Sequence, residues 1–327
     1  MVNHPIENQY TIRPFIQNRD LAGLVQLRLD IENYDHAGND VSEAAVIETL
    51  NWPGHDPQKD RWVIEKPGDP GELIGHAWAR AQSPERIVVY EAIHPDWRRK
   101  GLGSSLLERT LTRAVDMGAT HVTCAADIKN KGADGFLLHN GFRQAGNNRF
   151  MRAPAGIPLQ EPRWPDGYSV CSYTEVQDLS TLVKVFNRCY GDMWGHRENT
   201  KGAMNEEYLA ERMKMNPQHY NPDGLLIVFG PDGDVAGVCV AVLGPKVEDQ
   251  GNDREMIVDS PGVVPDHRHL GLQRPLALMA MRWLRSHSPG PIDLESYGDG
   301  EDAVKIYEDL GFVLEEHYIE YCRNLRL

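Results

Sequence analysis

Two short stretches of this chain carry residues whose types and spacing suit anion binding. In IHPDWRRKGLGSSLL, Ile93 to Leu107, three cations precede a Gly-x-Gly turn that opens onto leucines at helical spacing. VPDHRHLGLQRPLAL, Val264 to Leu278, repeats the plan. Amides at a helix N-terminus lack intrahelical partners and sit at the positive end of the helix dipole, so such a junction is fitted to hold phosphate oxygens. Gly101 and Gly103 let the backbone approach an anion closely. Arg98, Arg99 and Lys100 add positive potential beside it. Pro275 suits the first turn of a helix, so the second stretch is expected to form the same junction.

The elements around these stretches also occur twice. Displacing the sequence by 170 positions aligns Pro95, Asp96, Arg98, Gly101, Leu102, Leu106, Ala133, Gly141 and Phe142 with Pro265, Asp266, Arg268, Gly271, Leu272, Leu276, Ala303, Gly311 and Phe312 without a gap. So many turn residues in one register indicate an internal duplication. In the first copy YTIRPF reads as a strand, Asp20 as a helix N-cap, and RWVIEK, ELIGHAWA and RIVVYEAI as successive strands. After the turn and its helix come a strand at HVTCAA, a short helix ended by Gly141, and a last extended segment. The expected fold is α/β: two tandem domains, each a mixed sheet flanked by helices. Their expected limits are 1–152 and 168–327, joined by a Pro-rich linker over 153–167.

The whole chain sets further bounds. Its 327 residues suit two medium domains, and 41% hydrophobic with 25% charged residues excludes a disordered or collagen-like class. A formal net charge of −14 repels nucleic acid and anionic membranes and attracts cationic small molecules. The five cysteines are scattered, with no C-x-x-C pair, which fits reduced thiols. No leader-like or membrane-spanning apolar run is found, so a cytoplasmic protein is expected. His267 and His269 have H-x-H spacing, but no neighbouring cluster completes a metal site, so no metal is expected.

Neither Walker A nor the Rossmann fingerprint fits the first stretch, because Lys100 precedes its glycine and Leu106 stands where a third glycine is needed. R-x-x-G-x-G after a strand (Arg98, Gly101, Gly103), followed by N-x-x-A (Asn130, Ala133) and then G-F (Gly141, Phe142), resembles the GNAT superfamily of acyl-CoA-dependent N-acetyltransferases. The resemblance covers both halves. It implies a splayed mixed sheet, with the pantetheine arm of acetyl-CoA between VVYEAI and HVTCAA in the first half and between EMIVDS and IDLESY in the second. It further implies that Ile93 and His94 pair with the arm while Arg98, Arg99, Lys100, Gly101, Leu102, Gly103 and Ser104 cradle the pyrophosphate, with Asn130 nearby. The counterparts are Val263, Val264, Arg268, His269, Leu270, Gly271, Leu272 and Gln273.

The implied reaction is direct attack of a small amine on the thioester, which needs a base, an acid for the leaving thiolate and no metal. The family's acid is often a tyrosine four residues before the G-F glycine. Tyr307 holds that position in the second half and Leu137 in the first. For the base, the strand before each turn offers Glu91 and Asp259, and burial would raise such a carboxyl toward neutrality. Cofactor features run the other way, since Gln273 replaces Gly103 and Gly300 replaces Asn130. Two functions follow: an N-acetyltransferase for a small amine, or a non-catalytic acyl-CoA-binding or scaffolding protein. YGDMWGHRE, Tyr190 to Glu198, is the expected aromatic wall of an acceptor pocket.

Overall fold

A computed structural model of the chain describes residues 10–52, 55–83, 85–193, 204–245 and 254–325. The first repeat forms β1 (Thr11–Pro14), α1 (Gln17–Asp35), α2 (Glu43–Leu50), α3 (Pro57–Asp60), β2 (Arg61–Lys66), β3 (Asp69–Ala81), β4 (Arg86–Ile93), α4 (Leu102–Asp116), β5 (His121–Asp127), α5 (Lys131–His139) and β6 (Arg143–Ala153). The second forms β7 (Ser169–Ser172), α6 (Tyr173–Val176), α7 (Leu179–Tyr190), α8 (Glu206–Met215), β8 (Leu225–Phe229), β9 (Val235–Leu243), β10 (Met256–Val263), α9 (Gln273–His287), β11 (Ile292–Tyr297), α10 (Glu301–Asp309) and β12 (Val313–Asn324). No helix among the described residues is long and apolar enough to cross a membrane.

The chain divides into two compact units, Met1–Ala145 with Ile319–Leu327, and Gly146–Tyr318. These units are not coextensive with the repeats. In unit 1 the strands run β1-β2-β3-β4-β5 and then the C-terminal part of β12; in unit 2 they run from β6 through β11-β10-β9-β8 to β7. The last strand of the first repeat therefore closes the sheet of unit 2, where Asn148 to Ala153 pair antiparallel with Tyr297 to Ile292. The end of β12 is held in unit 1 by Tyr321 Oη donating to Asp134 (2.6 Å), Arg323 donating to the Asn140 carbonyl (2.8 Å) and the Leu325 amide donating to Thr120 (2.8 Å). The Pro-rich stretch lies against the core of unit 2 through Ile157, Leu159 and Trp164.

Each sheet is covered on both faces, which explains the nearly continuous apolar runs of its inner strands; β9 is buried along its whole length. In unit 1, Ile64, Ile74, Ile87 and Val89 pack with Leu102, Leu106 and Leu107 of α4, while Val63 and Leu73 on the other face meet Leu24 and Leu27 of α1 and Val46 of α2. Unit 2 repeats this with Val258, Leu276 and Leu284 on the α9 face and Leu182, Leu209 and Ile227 on the α7 face. Each such side chain contributes about 1.5–3 kcal/mol by leaving water.

Local signals fared unevenly. The G-F pairs end α5 and α10 as read: Gly141 and Gly311 take the left-handed conformation (φ 80° and 94°), and the amides of Phe142 and Phe312 turn back to the carbonyls of Leu137 and Tyr307. Asp178 caps α7 by accepting from the amides of Ser180 and Thr181. Asp20, read as its equivalent, instead lies inside the first turn of α1. Ile16 is the N-cap, and Asp20 accepts from its amide at 2.7 Å and pairs with Arg13 at 2.6 Å. A buried salt bridge to β1 thus fixes Asp20 one turn further in than local preference indicates.

Candidate active site

In both units the two parallel central strands pair for only three residues. β4 meets β5 at Arg86/His121, Ile87/Val122 and Val88/Thr123, and β10 meets β11 at Ile257/Asp293, Val258/Leu294 and Asp259/Glu295. Beyond Val88 and Asp259 this pairing stops, so backbone groups on the facing edges are left for an extended ligand arm to satisfy. The expected strand pairs are those that splay.

At the open end of β4 a turn of 3-10 helix, Pro95–Trp97, leads into Gly101, which caps α4 with φ 83°. That left-handed conformation is the physical reason for glycine there. The amides of Leu102, Gly103 and Ser104 then occupy the first turn, where no intrahelical acceptor exists. Arg99 and Lys100 are exposed beside them, Lys100 with its Nζ 4.4 Å over the Trp97 ring. From Ser104 a cleft of about 850 Å³ runs along α4, lined also by Leu107, Leu111, Asn140 and Arg323. The second copy has Gly271 at φ 69° and α9 starting at Gln273, but it is a poorer anion seat. The Arg274 amide donates to the Gly271 carbonyl (3.3 Å), and His269 and Leu270 stand where Arg99 and Lys100 do. Leu272 and Gln273 supply the remaining amides.

Arg98 and Arg268, expected at the pyrophosphate, are engaged elsewhere. Arg98 donates through Nε to the Ile93 carbonyl (3.0 Å) and makes a bidentate pair with Asp35 at the end of α1 (2.6 and 2.7 Å). Arg268 does the same with the Val263 carbonyl (3.1 Å) and Asp192 (2.6 and 2.7 Å), adding the Cys189 carbonyl. Each is a clasp that holds the turn to the strand end, and each planar fork is spent on a carboxylate. Likewise the His94 amide donates to Ile74 and the Val264 amide to Ala236, both at 2.9 Å. Free strand edge for an arm therefore lies before these residues. Asn130 caps α5, its Oδ1 accepting from the Ala133 amide at 3.1 Å. Gly300 caps α10 with no side chain to offer.

The three candidate acid–base residues sit in different surroundings. Glu91 shares the α4 face with Ile87 and Val89, accepts from Thr110 Oγ1 of α4 (2.9 Å), and is pushed up to about 7 by burial. Asp259 is on the opposite face of its sheet. It continues the row of Ile257, which packs toward α7, and meets His219 at 3.4 Å. The reason is a bulge between Asp259 and Gly262 against β9 that shifts the side-chain alternation, whereas β3–β4 pairing is regular. Glu91 and Asp259 are therefore not equivalent: in the 170-residue register Asp259 matches Val89, and the bulge turns it to the other face.

Tyr307 is fully buried at the start of the splay in unit 2, its hydroxyl donating to Asp299 Oδ2 (3.0 Å), which also accepts from Ser296 Oγ (2.8 Å). Burial raises both the Tyr307 phenol and the Asp299 carboxyl. Arg149, on the β6 strand contributed by the first repeat, donates to the Asp299 carbonyl at 3.1 Å and pairs with Glu301. Leu137 at the matching position of unit 1 is buried hydrocarbon. Glu295 faces Asp259 across the parallel pair and is raised by burial and then by Asp259. Tyr190 packs on the bulge: a Cβ at Gly262 would lie 2.7 Å from its ring, so only glycine fits. Residues 194–198 of the aromatic stretch lie outside the described residues. His267 bonds Tyr168 Oη at 2.6 Å, and no group of three metal-ligating side chains occurs among the described residues.

Asp299, Ser296, Arg149, His219 and Glu295 were not read from the sequence. Each reaches the site through a contact that no local spacing encodes.

Residues 24–142 match the acetyltransferase (GNAT) family. A mycothiol acetyltransferase of Saccharopolyspora erythraea is 26% identical over 278 residues, covering 82% of this chain and 86% of that protein. Among solved structures, a GCN5-related N-acetyltransferase from Sphaerobacter thermophilus superposes with a TM-score of 0.73 at 18% identity, covering 98% of both chains. A tandem GNAT protein from the clavulanic acid biosynthesis pathway gives 0.59 at 15% identity over 97% of this chain and 98% of that one. With the splayed strands and the glycine-capped turn in both units, residues 24–142 are a domain of the acetyltransferase (GNAT) family, within a chain that has the tandem GNAT fold.

Proposed function

We propose that the chain is an acetyl-CoA-dependent N-acetyltransferase that acylates a small primary amine, with the firmer acetyl-CoA seat in unit 1 and turnover of a second, more weakly held acetyl-CoA in unit 2. The observation that supports it most is the α4 junction: three first-turn amides, a left-handed Gly101 and two exposed cations at the mouth of splayed parallel strands. That arrangement fits a diphosphate with an extended arm. Acetyl-CoA supplies the activated thioester; the amine attacks its carbonyl carbon, a C–N bond forms, the C–S bond breaks, and the thiol leaves. In unit 2 Asp259, with His219 beside it, accepts the ammonium proton through water, and Tyr307 delivers a proton to the departing sulfur. Asp299 and Ser296 orient the phenol.

The acidic pair Asp259 and Glu295 at the mouth of the splay favours a cationic acceptor. Given the mycothiol acetyltransferase relatives, a mycothiol-related amine is the first acceptor to test. Leu137 in place of the tyrosine supports a second reading for unit 1 alone, acyl-CoA binding without turnover. Free-thiol release from acetyl-CoA, followed with a panel of small amines, tests the proposal. Amine-dependent release that needs Tyr307 supports it, and none with any amine leaves only acyl-CoA binding.

A further inference from the structure

Unit 1 carries a polar aromatic cluster on the sheet face opposite α4. Arg61 of β2, Trp78 of β3 and Tyr90 of β4 stand opposite one another in register, so their side chains share that face, with His76 and Arg80 two residues to either side of Trp78. The rings of Trp78 and Tyr90 stack at 5.5 Å and 10°, Trp52 meets Trp78 edge-on at 5.0 Å, and the Arg80 guanidinium lies 4.4 Å over Trp52. His76 is 5.3 Å from Tyr90.

This cluster buries charge without a counter-charge. Arg61 is 2% exposed; it donates to Thr49 Oγ1 (3.1 Å) and lies over the Phe15 ring, but its Nε has no hydrogen bond and it forms no carboxylate pair among the described residues. His76 is also 2% exposed, and neither ring nitrogen is bonded among them. Burial lowers Arg61 to about 10 and holds the His76 imidazole neutral, and the positive charge of Arg28 on α1 acts in the same direction on both. Leaving such donors buried and unpaired costs several kcal/mol, and native structures retain few of them. In a chain of net charge −14 a local excess of guanidinium also runs against the overall balance. Tyr90, 39% exposed, opens the cluster to solvent. The matching row of unit 2 is Leu225, Val240 and Asp259, apolar and acidic.

We propose that the Arg61–His76–Trp78–Tyr90 cluster is a binding site for a small carboxylate with a flat aromatic body. The carboxylate takes the Arg61 guanidinium and a His76 N–H, and the ring lies along Trp78 and Tyr90. Nothing in this rests on acyl transfer, and none of the four residues belongs to the machinery assigned to that reaction.

Titration of the full chain with benzoate, without acetyl-CoA, tests the site through tryptophan fluorescence and calorimetry, with benzylamine as the cationic control. Saturable benzoate binding with no benzylamine binding is expected. Arg61→Met should weaken benzoate by about tenfold or more while leaving Tm equal or higher, because a buried unpaired charge is removed. Tyr90→Ala, at a partly exposed position, should weaken benzoate by about threefold at unchanged Tm and serves if the Arg61 variant does not fold. Absence of saturable benzoate binding, benzylamine binding of equal strength, or unchanged benzoate affinity in a folded variant would each overturn the proposal.

Discussion

The two units share a plan and differ in what each kept. Both splay after three parallel pairs, both lead into the next helix through a left-handed glycine, and both clasp the turn with an arginine fork on a carboxylate at or just past the end of the first long helix. Unit 1 has the better phosphate seat, with three first-turn amides and Arg99 and Lys100. Unit 2 has its Arg274 amide turned to the Gly271 carbonyl, yet has the strand bulge, Tyr307 and Asp259 beside His219. Under the proposed function, firm binding and chemistry divide between the two copies, while the clasps, on which the turn geometry depends, are present in both.

The sharpest way to break this contrast is at Tyr307. Tyr307→Phe should lower kcat about a hundredfold with little change in acetyl-CoA affinity, and loss of the buried Tyr307–Asp299 hydrogen bond should destabilise the fold by about 1–2 kcal/mol. Unaltered turnover would move the chemistry to unit 1. Asp259→Asn should cost somewhat less, about thirtyfold in kcat. Arg268→Lys, which cannot reproduce the fork to Asp192, should raise the KM for acetyl-CoA about threefold at constant kcat. Steady-state kinetics resolves all three.

Glu91 gives the smallest effect, on stability alone. Its folded pKa is about 7 against an ordinary 4.5, so between those values the folded state holds the proton more tightly than the unfolded one. The contribution is full at low pH and is lost as pH rises from about 4.5 through about 7. Glu91→Gln should remove that part of the fall in Tm, seen by thermal melts across the same range, and leave turnover unchanged.

What could be read from the sequence was what is local. The glycine-capped turn, the helix it opens, the G-F helix ends and the doubled order of elements each depend on a few neighbouring residues, and all are present. What escaped depends on partners far along the chain. Arg98 reads as a phosphate ligand because its spacing from Gly101 does not reveal Asp35, 63 residues away. Asp259 reads as a candidate base on the same footing as Glu91 because a one-residue bulge, which reverses the facing of a carboxylate, has no composition of its own. The repeat marks where β6 and β12 fall in order, but not the unit each completes. A fragment ending at residue 152 would thus lack part of β12, and experiments belong on the whole chain.

The central claim is that the α4 junction seats the diphosphate more firmly than its counterpart at α9. Calorimetric titration of acetyl-CoA into the whole chain and into Gly101→Val tests it most directly, since valine opposes the left-handed cap at a cost of about 1–2 kcal/mol. A tighter site weakened about tenfold in the variant, with the weaker one unchanged, is predicted. An isotherm identical in both proteins, or no binding in either, would contradict it.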